Sequence, residues 1–220
     1  MYGIDKLSHR PKWVFHNSFP NTPGESPELA SQPIIDKGKL YFPMNSGLYV
    51  LDPSTGRQKW NIPNWTLRYK AFSPISNALY FDGAQSLMKL DLSSRKVGQL
   101  GVPDIDCSGI QTGNNVVYYM TTGGDSSPGI YAVKYAGKLL LHDAIGGFNG
   151  TSRIMVRGNY LYVPTDQSLY AIDARNGHVM WIKSGLNGNP LIYGNDLYVF
   201  SQGYNSDQTI GSLYLTDYKL

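Results

Sequence analysis

The chain has 220 residues, is 41% hydrophobic and 16% charged, and carries a formal net charge of +3, the balance of a globular chain able to bury one sizeable core. Its Lys and Arg residues are scattered, with no run of five or more, so a nucleic-acid partner is not expected. No stretch reaches the roughly 20 apolar residues that cross a bilayer and no secretory leader precedes the first motif, so membrane insertion is not expected either.

Seventeen Tyr and twenty-four Gly favour strands and tight turns. The first motif, Tyr2-Gly3-Ile4-Asp5, runs to Trp13. It returns as Tyr49-Val50-Leu51-Asp52 with Trp60, and as Tyr170-Ala171-Ile172-Asp173 with Trp181. In each case a Tyr-x-apolar-Asp strand, a short polar turn and a strand ending in Trp make a β-hairpin. An apolar-Tyr pair marks the strand before it: Leu40-Tyr41, Leu79-Tyr80, Val117-Tyr118, Leu161-Tyr162 and Leu197-Tyr198. Short apolar first strands are expected at Pro33–Ile35, Pro74–Ser76, Gly109–Gln111, Arg153–Val156 and Pro190–Ile192. Hairpins recurring about every forty residues predict an all-β chain, a β-propeller of about five four-stranded blades in a single domain over residues 1–220.

The last unit stops at Leu220, just past Asp217, before a turn and fourth strand. Lys12–Phe15 has fourth-strand character and is expected to pair with Leu213–Thr216, closing a ring and covering a sheet edge. The alternative is a segment of a larger propeller, because Tyr2–Asp5 repeats a third strand that Leu213–Asp217 already supplies. Met1 abutting Tyr2 in mid-repeat fits that alternative.

The recurring aromatic and acidic residues read first as framework. Trp13, Trp60 and Trp181 recur where packing between blades needs a large wedge. Asp5, Asp52, Asp91, Asp173 and Asp217 stand where a carboxylate accepts hydrogen bonds from the turn's own amides. Gly56 and Gly177 close those turns in left-handed backbone conformation. The second and third units lack the Trp, and the third has Lys134 in the Asp place.

Little else suggests chemistry. His9, His16, His142 and His178 are far apart and lack zinc-site spacing. Ser93-Ser94-Arg95-Lys96 has the acyl-enzyme spacing but sits in a turn rather than on a helix. Gly123–Gly129 has no Lys for a phosphate loop. The acceptor triplets Asn64-Trp65-Thr66 and Asn149-Gly150-Thr151 occur by chance in a chain this rich in Gly and Asn. Cys107 is the only cysteine, which leaves the redox compartment open. No catalytic residue, metal or cofactor is expected.

Leu48–Trp60 and Leu169–Trp181 resemble the PQQ-like, or quinoprotein-type, repeat family, whose blades read Leu-Tyr-Ala-Leu-Asp, a Gly turn and Trp. The resemblance covers nearly the whole chain and implies a β-propeller. It says less of function, since one scaffold carries many functions. Quinone-dependent members hold their cofactor in the channel of an eight-bladed ring, commonly under a disulfide of adjacent cysteines, with calcium and an Asp base. A chain of about five units with no cysteine pair resembles instead the non-catalytic scaffolds of the family, which implies an extracytoplasmic location.

Long loops on one face of such a scaffold are the usual carriers of recognition. They are expected at Pro63–Phe72, Thr121–Gly129, Leu141–Ser152 and Ser201–Ser212. Trp65, Arg68, Tyr69, Asp125, Arg153, Asp166, Tyr204 and Asp207 combine aromatic anchors with charge, the composition of interaction hot spots. The leading expectation is therefore a protein or peptide scaffold binding through this face. A lectin-like propeller is the alternative, weakened because the loop sets differ in length and composition, and an enzyme of unrecognised mechanism is the third. Arg57 and Arg175 lie on the opposite face. The sequence leaves the oligomeric state open.

Overall fold

A computed structural model describes residues 1–16, 33–44, 47–63, 72–75, 77–83, 86–100, 107–121, 128–134, 139–143, 145, 147, 153–202 and 211–216; for 72–75, 82–83, 107–108, 139–143, 200–202 and 211–216 it gives the strand path alone. Among these residues there is no helix, and so none long and apolar enough to cross a membrane. Twenty-one strands form six antiparallel sheets.

An N-terminal hairpin pairs β1 (Tyr2–Ile4) with β2 (Pro11–Val14). Blade 1 contains β3 (Ile34–Asp36), β4 (Lys39–Met44), β5 (Gly47–Leu51) and β6 (Gln58–Pro63). Blade 2 contains β7 (Phe72–Ile75), β8 (Ala78–Gly83), β9 (Ser86–Asp91) and β10 (Val97–Gln99). Blade 3 contains β11 (Cys107–Gly113), β12 (Val116–Thr121), β13 (Gly129–Lys134) and β14 (Leu139–Asp143). Blade 4 contains β15 (Met155–Arg157), β16 (Tyr160–Pro164), β17 (Ser168–Asp173) and β18 (Val179–Ser184). The fifth sheet contains β19 (Pro190–Tyr193), β20 (Asp196–Gln202) and β21 (Gly211–Thr216). Each sheet is a meander in chain order. The first strands β3, β7, β11 and β15 approach one another in succession, so they lie innermost and the fourth strands form the rim. The architecture is a β-propeller.

Local chemistry sets these meanders. The first two strands of a blade are joined by two-residue turns such as Lys37-Gly38 and Asn114-Asn115, with φ of 44° and 69°, and 52° and 60°. That left-handed pair matches the twist of the flanking strands. The third and fourth strands are joined by a turn repeated four times: the amide of His9, Gly56, Arg95 or Gly177 donates to the carbonyl of the Asp four residues earlier, at 2.8–2.9 Å. The Asp amide in turn donates to the carbonyl five residues on, at 2.8–3.0 Å. The residue four after Asp takes positive φ in all four copies. A bulge lies on the fourth strand of the hairpin and of blades 1, 3 and 4, where Lys12, Lys59, Leu140 and Met180 are skipped in the pairing, while the fourth strand of blade 2 pairs without one. One extra residue there increases twist and re-aims the side chain that follows, which is Trp in three of the four copies.

In blades 1 to 4 the described residues of the second and third strands are mostly buried on both faces, which explains their apolar runs. In blade 1, Tyr49 and Leu51 face the hairpin with Met1, Trp13 and Phe15, while Tyr41, Leu48 and Val50 face Leu79, Phe81 and Leu90 of blade 2. Ala78 and Tyr80 meet Val117 and Tyr119; Tyr118 and Met120 meet Leu161 and Val163; Tyr162 and Ala171 meet Leu197 and Val199. The largest wholly buried side chains are tyrosines, Tyr41, Tyr49, Tyr80, Tyr118, Tyr119 and Tyr162, so tyrosine is the main wedge between blades. Trp13, Trp60 and Trp181 are half-buried at the rim of the same clusters.

The expected pairing of Lys12–Phe15 with Leu213–Thr216 is not formed: β2 and β21 belong to different sheets. β2 pairs with β1, its neighbour across a short turn, with Tyr2 opposite Val14 and Gly3 opposite Trp13. Closing that hairpin costs far less chain entropy than closing a loop of the whole chain. Trp13 then packs on Gly3 and Gly56 and fixes the hairpin against blade 1.

Candidate functional site

The carboxylates most conspicuous in the sequence are engaged within their own turns. Asp5 Oδ1 accepts from the Leu7 and Ser8 amides, Asp91 Oδ1 from those of Ser93 and Ser94, and Asp52 Oδ1 from the Ser54 amide at 2.8 Å and its hydroxyl at 2.5 Å. Asp52 also meets Lys59 Nζ at 3.3 Å. Asp173 is clasped by Arg175, whose Nε donates to Oδ1 at 2.9 Å and whose Nη2 donates to Oδ2 at 2.5 Å. These bonds hold all four acids below the ordinary carboxylate range. Ser8 does so for Asp5, Ser54 for Asp52 and Ser94 for Asp91, while Arg175 holds Asp173 at about 2. Ionised, hydrogen-bonded groups of this kind are framework and poor general acids or bases.

The opposite face, formed by the loops between second and third strands and those between blades, is described at one corner. Thr165 and Ser168 close a tight turn there: the Thr165 amide donates to Ser168 O at 2.8 Å, and Thr165 Oγ1 accepts from the Ser168 amide at 3.0 Å. Asp166 and Gln167 form its exposed tip. That tip is fixed from both sides. The Asp166 amide donates to Gly147 O at 2.6 Å from the loop before blade 4, and Asn187 Nδ2 donates to Asp166 O at 3.3 Å from the loop after it. The Asp166 carboxylate lies over Gly147, where a Cβ would collide with Oδ1, and Gly147 has φ of 81°. Arg153 is exposed, and its amide donates to Asn189 Oδ1 at 2.7 Å.

Two of the residues singled out from the sequence, Arg153 and Asp166, are thus exposed on loops of this corner, and both are tied to the loop after blade 4, Asp166 through Asn187 and Arg153 through Asn189. Trp65, Arg68, Tyr69, Asp125, Tyr204 and Asp207 lie outside the described residues. Gly147, Asn187 and Asn189 were not read from the sequence as part of the site. Their signals were the turn clusters Gly146-Gly147 and Asn187-Gly188-Asn189 between apolar runs, which indicate loops but not the partner each loop holds. On the far face Arg175 is committed to Asp173, and Arg57 is exposed.

No protein-family model and no curated protein matches this sequence. Solved structures do match. BamB from Moraxella catarrhalis superposes with a TM-score of 0.63 at 14% identity, over 90% of this chain and 63% of BamB. Nup159, in a Saccharomyces cerevisiae complex with Dbp5, gives a TM-score of 0.59 at 14% identity, over 90% of this chain and 60% of the matched chain. A chain of the nidogen–laminin complex gives 0.58 at 16% identity, over 80% and 72%. Identities this low carry the fold alone, and that fold is the β-propeller. The chain spans less than two thirds of the length of BamB.

Proposed function

We propose that this chain is a non-catalytic propeller of the PQQ-like repeat type that binds a protein or peptide with its long-loop face. The carrying observation is a division of labour between the two faces. The acids of the repeat are spent inside their own turns on one face, whereas on the other Asp166 is exposed on a backbone clamped by the loops on either side. Such pre-organisation lowers the entropy lost on binding. Trp65, Arg68 and Tyr69 would supply the aromatic and cationic anchors, with Asp125, Arg153, Tyr204 and Asp207 around them. Support comes also from the similar folds found in the Nup159–Dbp5 and nidogen–laminin complexes. The resemblance to non-catalytic scaffolds supports an extracytoplasmic setting.

The test uses peptides selected from a random displayed library against the wild-type chain. Arg153→Glu combined with Asp166→Lys is expected to weaken the selected peptides tenfold or more, about 1.4 kcal/mol, with an unchanged denaturation midpoint. Arg57→Glu, on the far face, is expected to leave binding intact. Loss of binding from Arg57→Glu alone would refute the choice of face.

A further inference from the structure

β2 and the fourth strands of the blades each pair on one side only, and an open sheet edge is a template for another strand. Several of these rims are guarded. The hairpin carries Pro11 and Lys12, β6 carries Lys59 and ends in Pro63, and β10 is only three residues long, all features that discourage strand addition. β18 of blade 4 runs six residues without a proline. Aligned on Trp60 and Trp181, it has Val179, Met180, Ile182 and Ser184 where blade 1 has Gln58, Lys59, Asn61 and Pro63. Val179, Met180 and Ile182 are 42%, 53% and 50% exposed.

This apolar rim lies inside the array. Val179 and Ile182 stand opposite Ile172 and Tyr170, which pack between blades 3 and 4, so both face blade 3 rather than the fifth sheet. A further blade beyond either end of the array would cover neither. The backbone of the same stretch is open outwards. The Gly185 amide donates to Gln167 O at 2.8 Å, and in an antiparallel ladder alternate residues turn the same way. Lys183 therefore also faces β17, and the N–H and C=O of Ile182 and Ser184 point away from the sheet. Past the skipped Met180 the pairing runs unbroken from Trp181 to Ser184.

We propose that β18 is a docking edge for an extended segment of a partner protein, which joins blade 4 as a fifth strand. Only an extended backbone meets such a row of outward N–H and C=O groups, and its alternate side chains then supply the selectivity. The segment sets apolar side chains beside Val179 and Ile182. On its other face it carries an acidic one, because the sole charged residue of β18 is Lys183, opposite Leu169 on the side of the fifth sheet. This edge is a second surface and does not rest on the long-loop face.

The probe is a labelled synthetic peptide of valine alternating with threonine, with one threonine replaced by glutamate, titrated with the wild-type chain by fluorescence anisotropy. Saturable binding is expected. A strand turns alternate amides to its neighbour, so N-methylation of one alternate set should abolish binding and N-methylation of the other should leave it unchanged. Met180→Lys with Ile182→Asn, which restores the blade 1 side chains, should weaken the peptide about tenfold or more. Ser184→Pro should weaken it too, with an unchanged denaturation midpoint, since the N–H it removes points away from β17. The methylated pair decides on the wild-type chain even where a variant loses stability. No binding at about 1 mM peptide, the weak limit of a specific contact, overturns the proposal. So do equal effects of the two methylated sets, or full binding by both variants. A wild-type dimer that Ser184→Pro dissociates would give the edge to a second copy and overturn it as well.

Discussion

The indole nitrogen of Trp13 donates a 3.0 Å hydrogen bond to the carbonyl oxygen of Pro53, in the turn of the next blade. Pro53 directly follows Asp52, and the matching carbonyl in blade 4 is that of Ala174. There the donor is Tyr118 Oη, at 3.2 Å, from a different strand of blade 3. Leu141 occupies the Trp place of blade 3, so a buried tyrosine reaches the acceptor that a tryptophan reaches elsewhere. Tyr118→Phe is expected to cost about 1 kcal/mol, the usual worth of one such bond, read from the urea midpoint. Trp13→Phe is expected to cost more, because the indole also covers Gly3 and Gly56.

Gly56 and Gly38 both have φ of 69°, but a Cβ on Gly56 would meet three atoms of the Trp13 ring at 2.5–2.9 Å, while one on Gly38 meets nothing within 4 Å. Gly38→Ala should therefore cost only the backbone strain, about 1 kcal/mol. Gly56→Ala should cost clearly more, since the ring must move. Equal losses in thermal denaturation would show that Trp13 does not fix the hairpin to blade 1.

Trp60 stands edge-on to Tyr41 at 6.5 Å with Arg95 Cζ 5.3 Å above its ring, and Trp181 lies 6.0 Å from Tyr162. Trp60→Ala and Trp181→Ala should each destabilise by about 3 kcal/mol, the low end for large aromatic deletions, because both rings are half-exposed. Midpoints within experimental error of wild type, together with lost peptide binding, would assign them to recognition instead.

Acid should destabilise the blades through their turns. The Asp5, Asp52, Asp91 and Asp173 carboxyls are held below their unfolded value, so each contributes stability that is complete above the unfolded pKa of about 4 and is lost as pH falls through its folded pKa. For Asp173 that folded pKa is about 2. Urea midpoints are expected to fall between about pH 4 and pH 2, and Asp173→Asn should flatten the slope in that window. An unaltered slope in the Asn variant would count against the Asp173–Arg175 clasp.

The array of units was legible because its signal is local. Tyr, Asp and Trp recur at fixed spacing, and the strand, turn and bulge that require them are complete within about a dozen residues. The two-residue turns Asn114-Asn115 and Gly158-Asn159 were equally local, and either would have located the junction of first and second strands. What Lys12–Phe15 pairs with was not legible. Its apolar character marks a fourth strand, but the choice of neighbour depends on loop closure and on Trp13 docking forty residues away. The site divides in the same way. Arg153 and Asp166 could be read as exposed and charged, whereas the capture of the Asp166 amide by Gly147 joins two loops that only the fold brings together.

The sharing of every apolar cluster between adjacent sheets bears on how the molecule comes apart. Among the described residues no single meander has a core of its own, so the smallest piece able to persist is a pair of neighbours, and stability is a string of couplings along the array. Interior sheets have two such couplings and the hairpin one. Opening should therefore begin at an end and travel inwards like a zip, with the amides of β1 and β2 exchanging early and those of β12, β13 and β16 among the last to give up their hydrogens.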